Sequence, residues 1–311
     1  MSRPDIVVVE NLTKYVRPGF GLRRKRVLHD ISFRVREGEI FGFVGPNGAG
    51  KTTTLKILMG LAHASSGRAT VLGHDVSESA FRRHVGFLPE NPYFYDYLTG
   101  RETLDFYARL CGVPQPRRRE RVAELLERVG LAQAADTRLR TYSKGMQQRV
   151  GVAQALVHDP DVVFLDEPMS GLDPIGRKDI RDLVLRLREQ GKTVFMNTHI
   201  LHDVEQVCDR VAIIVKGSIR YEGVVQDFLD AGELSSDLVL ASLPAETGAD
   251  LEERFGARLR SLGESIEARV SEKHVDGALA CVVASGARVI SVTPHRASLE
   301  EIFMSAVEET R

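Results

Sequence analysis

Short runs of β-branched and aromatic residues alternate with longer amphipathic stretches along much of the chain. Residues 6–9, 31–35 and 40–44 read as strands. Residues 52–61 carry apolar positions at helical spacing and stop near Gly60. A run that is apolar on both faces and feeds a helix is the pattern of a buried parallel strand. From about residue 91 to 157 the texture changes, because segments 103–111, 119–129 and 146–157 all have helical spacing. Gly112, Pro114, Pro116 and Gly130 separate them. This predicts a helical subdomain inserted into the sheet. The sheet then resumes with apolar strands at 162–165, 193–197 and 211–215, and a long helix at about 176–190 joins the first two.

Beyond about Asp230 the order of elements differs. Strands are predicted at 238–242, 258–262, 266–270 and 289–292, with helices at 249–255 and 271–284. That βαββαβ order predicts a small ferredoxin-like α+β domain. A terminal helix over 298–307, capped by Ser298, would close it. Two domains result, 1–229 and 230–311, as the length of 311 residues suggests at about 150 residues per domain. With 43% hydrophobic and 27% charged residues the chain has ordinary globular usage and can bury two cores. Its 42 Lys plus Arg against 43 Asp plus Glu give a formal charge of −1, so charge offers no reason to expect nucleic-acid binding. Cys111, Cys208 and Cys281 are scattered and fit neither a disulfide framework nor a zinc site. The longest apolar runs, such as 211–215, are far short of the roughly 20 residues that span a bilayer. The start of the chain does not read as a signal peptide. A cytoplasmic protein, peripheral to any membrane it serves, is the expectation.

The candidate chemistry begins with Gly45, Pro46, Asn47, Gly48, Ala49, Gly50, Lys51 and Thr52, followed by Thr53. This is the pattern GxxxxGK[ST] placed after a strand and before a helix. Glycines let backbone wrap closely around phosphate oxygens, and free amides at a helix start add positive partial charge. Lys51 would reach the β and γ phosphates, and the Thr52 hydroxyl would hold the Mg²⁺ that bridges them. A glycine-rich turn with a surface lysine is the alternative, and the strand and helix context argues against it. Four apolar residues then carry Asp166 and Glu167 to the carboxyl end of a buried strand. There Asp166 can hold Mg²⁺ and Glu167 can act as general base on an attacking water. An acidic turn is the plain rival.

Residues 142–149, Tyr-Ser-Lys-Gly-Met-Gln-Gln-Arg, stand before this pair. With the motifs above they resemble the ABC ATPase family, whose signature near LSGGQ opens a helix of the helical subdomain. Ser143 and Gly145 match the signature, whereas Tyr142, Lys144 and Met146 depart from it. Residues 170–173 resemble the family's D-loop, and His199 its switch histidine that contacts the γ-phosphate. His202 lies three residues later and is assigned no role. Tyr15 resembles the aromatic residue that stacks on adenine, although an edge-of-core tyrosine is a serious rival. Glu90 stands where most relatives have the Q-loop glutamine. It can still bind Mg²⁺ through water, at the cost of negative charge beside a triphosphate. Tyr93, Phe94, Tyr95 and Tyr97 fall where the family receives a helix of the membrane subunit, and a core cluster is an equal reading for some of them.

The resemblance covers residues 5–227, and residues 298–303 add a weaker one to the closing motif of drug-resistance-type exporters. It implies a P-loop NTPase (ABC ATPase) core with an inserted helical subdomain, with ATP and Mg²⁺ as cofactors. It also implies a head-to-tail homodimer beneath an integral membrane permease, powering a type-2 exporter. Each ATP would lie between Lys51 of one chain and Ser143 of the other. The C-terminal domain is then an accessory or dimerisation module. A soluble ABC ATPase acting on DNA or ribosomes is the competing class. A small-molecule P-loop kinase leaves residues 143–149 unexplained.

Overall fold

The computed structural model describes residues 3–17, 24–231, 235–263 and 265–295. The expected helix at 298–307, its cap Ser298 and the closing motif lie outside the described residues. The chain divides into two compact units, Met1–Val225 and Gln226–Arg311.

The first unit holds two sheets. Strands β1 (Asp5–Val16) and β2 (Lys25–Arg36) pair antiparallel. They form a four-stranded sheet, in the order β2-β1-β4-β5, with β4 (Ser66–Val71) and β5 (His74–Asp75). Strand β3 (Ile40–Val44) belongs instead to the second sheet and leads into α1 (Lys51–Leu58). The expectation that 6–9 and 31–35 are strands holds. Their alternating buried and exposed residues mark a sheet covered unequally on its two faces, whereas every residue of β3 is buried.

The second sheet has six strands in the order β10-β9-β3-β8-β7-β6. They are β6 (Val85–Leu88), β7 (Val162–Asp166), β8 (Thr193–Thr198), β9 (Arg210–Val215) and β10 (Ser218–Val224), together with β3. Five are parallel and β10 pairs antiparallel at one edge. The expected helical insertion falls between β6 and β7 as α2 (Gly100–Leu110), α3 (Gln115–Arg128) and α4 (Lys144–Ala155). Helix α2 starts with a full capping box between Thr99 and Glu102. Helix α5 (Pro174–Glu189) joins β7 to β8, and α6 (Leu201–Val207) precedes β9. Phe33 of the first sheet lies 5.2 Å from Phe43 and 6.0 Å from Phe195 of the second, centroid to centroid. One aromatic layer therefore locks the sheets together, with geometry worth about 0.5–1.5 kcal/mol per ring pair beyond area burial.

The second unit starts within α7 (Val225–Ala231). It continues as β11 (Ser235–Ala241), α8 (Ala245–Phe255), β12 (Arg258–Leu262), β13 (Ser265–Ser271), α9 (Val275–Ala284) and β14 (Arg288–His295). The antiparallel sheet order β12-β13-β11-β14 is that of a ferredoxin-like fold. Its core gathers Leu238, Leu240, Leu251, Ala268, Val270 and Val282. The expected helix at 271–284 begins later, at Val275, because Ser271 still pairs with Ser235 and a short 3₁₀ turn follows it.

Candidate active site

Parallel register brings distant motifs together. Val44 at the end of β3 lies opposite Thr198 of β8, and Asp166 at the end of β7 lies opposite Asn197 of β8. The carboxyl ends of three strands are thus level, and the residues that follow them share one edge of the sheet.

After β3 the chain turns through Gly45 to Gly50. A side chain at Gly45 would overlap the Ile214 carbonyl of β9, so that position needs space. Gly48 has φ +79 with nothing nearby, so it needs conformation alone. Gly50 needs both, with φ +113 and a Cβ position 2.6 Å from Leu28 Cδ2. It opens α1 with no side-chain cap and no acidic residue in the first turn, which leaves the helix start suited to an anion. Pro46, Asn47 and Gly48 are exposed, whereas Ala49, Gly50 and Lys51 are buried. Thr52 is exposed and Thr53 half-buried.

Lys51 donates from Nζ to the Gly45 carbonyl at 2.7 Å and lies 3.5 Å from Glu167 Oε1. The other carboxylate oxygen of Glu167, Oε2, sits 2.8 Å from His199 Nδ1. Glu167 therefore bridges the loop lysine and the residue that follows β8. It is held in the left-handed region at φ +51, a cost of about 1–3 kcal/mol for a residue with a side chain. Its N–H donates to the Asn197 carbonyl at 3.0 Å, which fixes that step out of the strand.

Burial pushes the Asp166 carboxyl above its usual range, and the charges of Glu167 and Glu90 add to the effect. Hydrogen bonds from Asn197 and Thr52 oppose it. Asn197 Nδ2 donates to Asp166 Oδ1 at 3.1 Å, while its own Oδ1 is buried with no partner among the described residues. Sequence reading missed this asparagine. Its signal was a polar residue inside an otherwise apolar strand end. Among the described residues no three His, Cys, Asp or Glu converge on a metal site. The hydroxyl of Thr52 with Asp166, and Glu90 close enough to act on it, still form a hard oxygen set. That set fits a divalent cation that keeps most of its waters and takes phosphate oxygens.

Other expected residues lie apart from this centre. Ser143 caps α4, accepting from Met146 N at 3.2 Å, and is exposed. Among the described residues neither it nor Gly145 bonds to the 45–53 loop. A Cβ at Gly145 would meet nothing closer than 3.9 Å among the described residues, which is ordinary van der Waals contact. Two of the three departures from the signature make local contacts. Tyr142 is buried and donates its hydroxyl to the Ala134 carbonyl at 2.5 Å, and the Lys144 ammonium occupies the space beside Gly171. Tyr15 is 43% exposed at the end of β1, which disfavours an edge-of-core role. Tyr93, Tyr95 and Tyr97 are exposed as well, with Tyr95 edge-on to Phe106 and Phe94 edge-on to Tyr107. His202 meets Gln206 and Glu205 on the surface of α6.

Comparison with known proteins places the chain in a family. Residues 28–170 match the profile described as ABC transporter. An uncharacterized ABC transporter ATP-binding protein of Synechocystis is 45% identical over 312 residues, spanning 98% of this chain and 85% of the relative. The linearmycin resistance ATP-binding protein of Bacillus subtilis is 32% identical, over 92% of this chain and 95% of its own. Among solved structures, the dimer of an ATP-binding cassette in a post-hydrolysis state, bound to ADP and Pi, superposes with a TM-score of 0.64 at 26% identity. It covers 70% of this chain and 98% of that one.

Proposed function

The chain belongs to the ABC transporter ATP-binding proteins, and from that premise we propose that it powers a type-2 exporter as a head-to-tail homodimer beneath a separate membrane permease. The observation that carries the hydrolytic part is the Lys51–Glu167–His199 bridge at the level ends of β3, β7 and β8. Lys51 exchanges the Gly45 carbonyl and Glu167 for β and γ phosphate oxygens. That exchange frees Glu167 Oε1 to accept a proton from the attacking water, while His199 keeps the other oxygen in place. Thr52 and Asp166 would hold Mg²⁺, with Glu90 acting through water, and the cation would neutralise charge on the phosphates. Tyr15 offers a ring to the base.

Gly145 supports the shared site. Among the described residues of its own chain a Cβ there would meet nothing closer than 3.9 Å, so the start of α4 leaves room for a nucleotide held by the second chain. Ser143 then presents its hydroxyl and the start of α4 to that nucleotide. Loss of the γ-phosphate removes contacts made only in the closed dimer, so hydrolysis biases the pair toward opening.

Among the described residues no helix is long and apolar enough to cross a membrane, so a transport role needs a partner. The exposed tyrosines 93, 95 and 97 suit a docking groove for it. The likeness to a resistance ATP-binding protein favours the exporter branch. An integral membrane protein should co-purify with the tagged chain from detergent-solubilised membranes. Recovery without one, together with ATPase stimulation by DNA or ribosomes, would instead support the soluble class.

The C-terminal unit is a dimerisation or regulatory module in this reading, since no nucleotide motif lies beyond Val225. A chain ending at Val225 should still bind ATP. Loss of all binding in a truncation that keeps its circular dichroism would reject the division.

A further inference from the structure

Tyr15 sits opposite Arg26 in the antiparallel pairing of β1 with β2. Two residues with compact polar side chains interrupt the regular backbone nearby, Asn11 at φ +49 and Asp30 at φ +50. Asn and Asp tolerate the left-handed region better than other residues with side chains. Asp30 accepts from the buried Thr13 hydroxyl at 2.5 Å and from Arg26 Nη2 at 2.6 Å. Those bonds hold its carboxyl below the usual range, with Thr13 contributing most. Arg26 also donates from Nη2 to Thr13 Oγ1 at 3.0 Å and from Nε to the Leu28 carbonyl at 3.3 Å.

A guanidinium fixed by three neighbours is thereby set over the Tyr15 ring, its carbon 5.9 Å from the centroid. Tyr15 as a whole remains 43% exposed. The same stretch of β2 touches the phosphate loop, because the Gly50 Cβ position lies 2.6 Å from Leu28 Cδ2 and 3.3 Å from the Val27 carbonyl. The segment that anchors Arg26 is therefore the one packed against the loop that takes the triphosphate.

We propose that Arg26 is a positioning residue for the nucleotide base: anchored by Asp30, Thr13 and Leu28, it backs one face of Tyr15 so that the other face is presented to a purine. A cation over one face holds the ring by its quadrupole and removes rotational freedom that base binding would otherwise have to quench. The inference rests on reading Tyr15 as the stacking residue.

The test uses the full chain and two substrates, ATP and base-free ribose 5′-triphosphate. Arg26→Ala should raise KM for ATP about threefold to tenfold, the scale of a lost cation–π contact and a loosened ring, with kcat little changed. KM for the base-free triphosphate should stay at the parent value, and Arg26→Lys should fall between. An equal rise for both substrates would overturn the proposal, since it would place the effect in the fold or the phosphates. A fall in KM for ATP would also overturn it, since Arg26 would then obstruct the base. Tyr15→Ala separates the two levels. If it raises KM for ATP alone while Arg26→Ala does nothing, only the positioning role fails. If neither variant changes KM for ATP, the stacking reading fails with it.

Discussion

Glu167→Gln should bind ATP yet hydrolyse it at least about a hundredfold more slowly, the lower range for loss of a general base. Glu167 is the carboxylate that meets both Lys51 and His199. An amide of the same shape keeps a carbonyl oxygen for one of those contacts and cannot take up the proton of the attacking water. The substitution leaves the loop from Gly45 to Lys51 and its lysine in place, so the loop should still receive the triphosphate. The substitution also removes one negative charge beside Asp166, where the charges of Glu167 and Glu90 already oppose ionisation. ATP should therefore trap the chain as a dimer, visible as a shift in size-exclusion elution with ATP and not with ADP. Hydrolysis at the parent rate would show that another group activates the water.

Mixing a Lys51→Ala chain with a Ser143→Arg chain should restore what neither has alone. In a head-to-tail dimer, one composite site of the mixed pair contains both defects and the other contains neither. ATP-dependent heterodimers should then form between differently tagged chains. ATPase activity should return in part if one intact site suffices for turnover. Lys51 is buried against the loop and Glu167, whereas Ser143 is exposed at the start of α4. Lys51 is thus enclosed by its own chain, while Ser143 caps α4 at the surface. Arginine at 143 places a long cationic side chain where a small hydroxyl caps the helix, and blocks close approach. If no heterodimer forms with ATP while both chains remain folded, the shared-site assignment is rejected.

Much of the site was legible in the sequence because its chemistry is local. Gly45 to Thr52 needs its glycines within a single turn, and Asp166 and Glu167 need only an apolar strand before them. The same holds for the helices of the insertion, whose spacing and Gly and Pro boundaries are properties of neighbouring residues. Their observed starts, Gly100, Gln115 and Lys144, precede the expected ones by two to four residues. The caps there are Thr99, Pro114 and Ser143, polar or ring residues that carry no apolar period. The strands β4, β5, β6 and β10 were not anticipated. They are short or half-exposed and lack a strong pattern of their own.

By itself, the sequence determined the element types around the motifs, the βαββαβ order of the C-terminal unit and the identity of the candidate phosphate-handling groups. Each follows from period, turn chemistry or side-chain type within about 20 residues. Only the tertiary structure decided which strands lie side by side. Parallel register set Val44, Asp166 and Asn197 to Thr198 at one level, and so joined Lys51 to Glu167 and Glu167 to His199. It also separated β1 and β2 into their own sheet and put Arg26 against Tyr15. Hydrogen-bonded register is a pairing between segments far apart in the chain, and no local pattern encodes which partner a strand will choose.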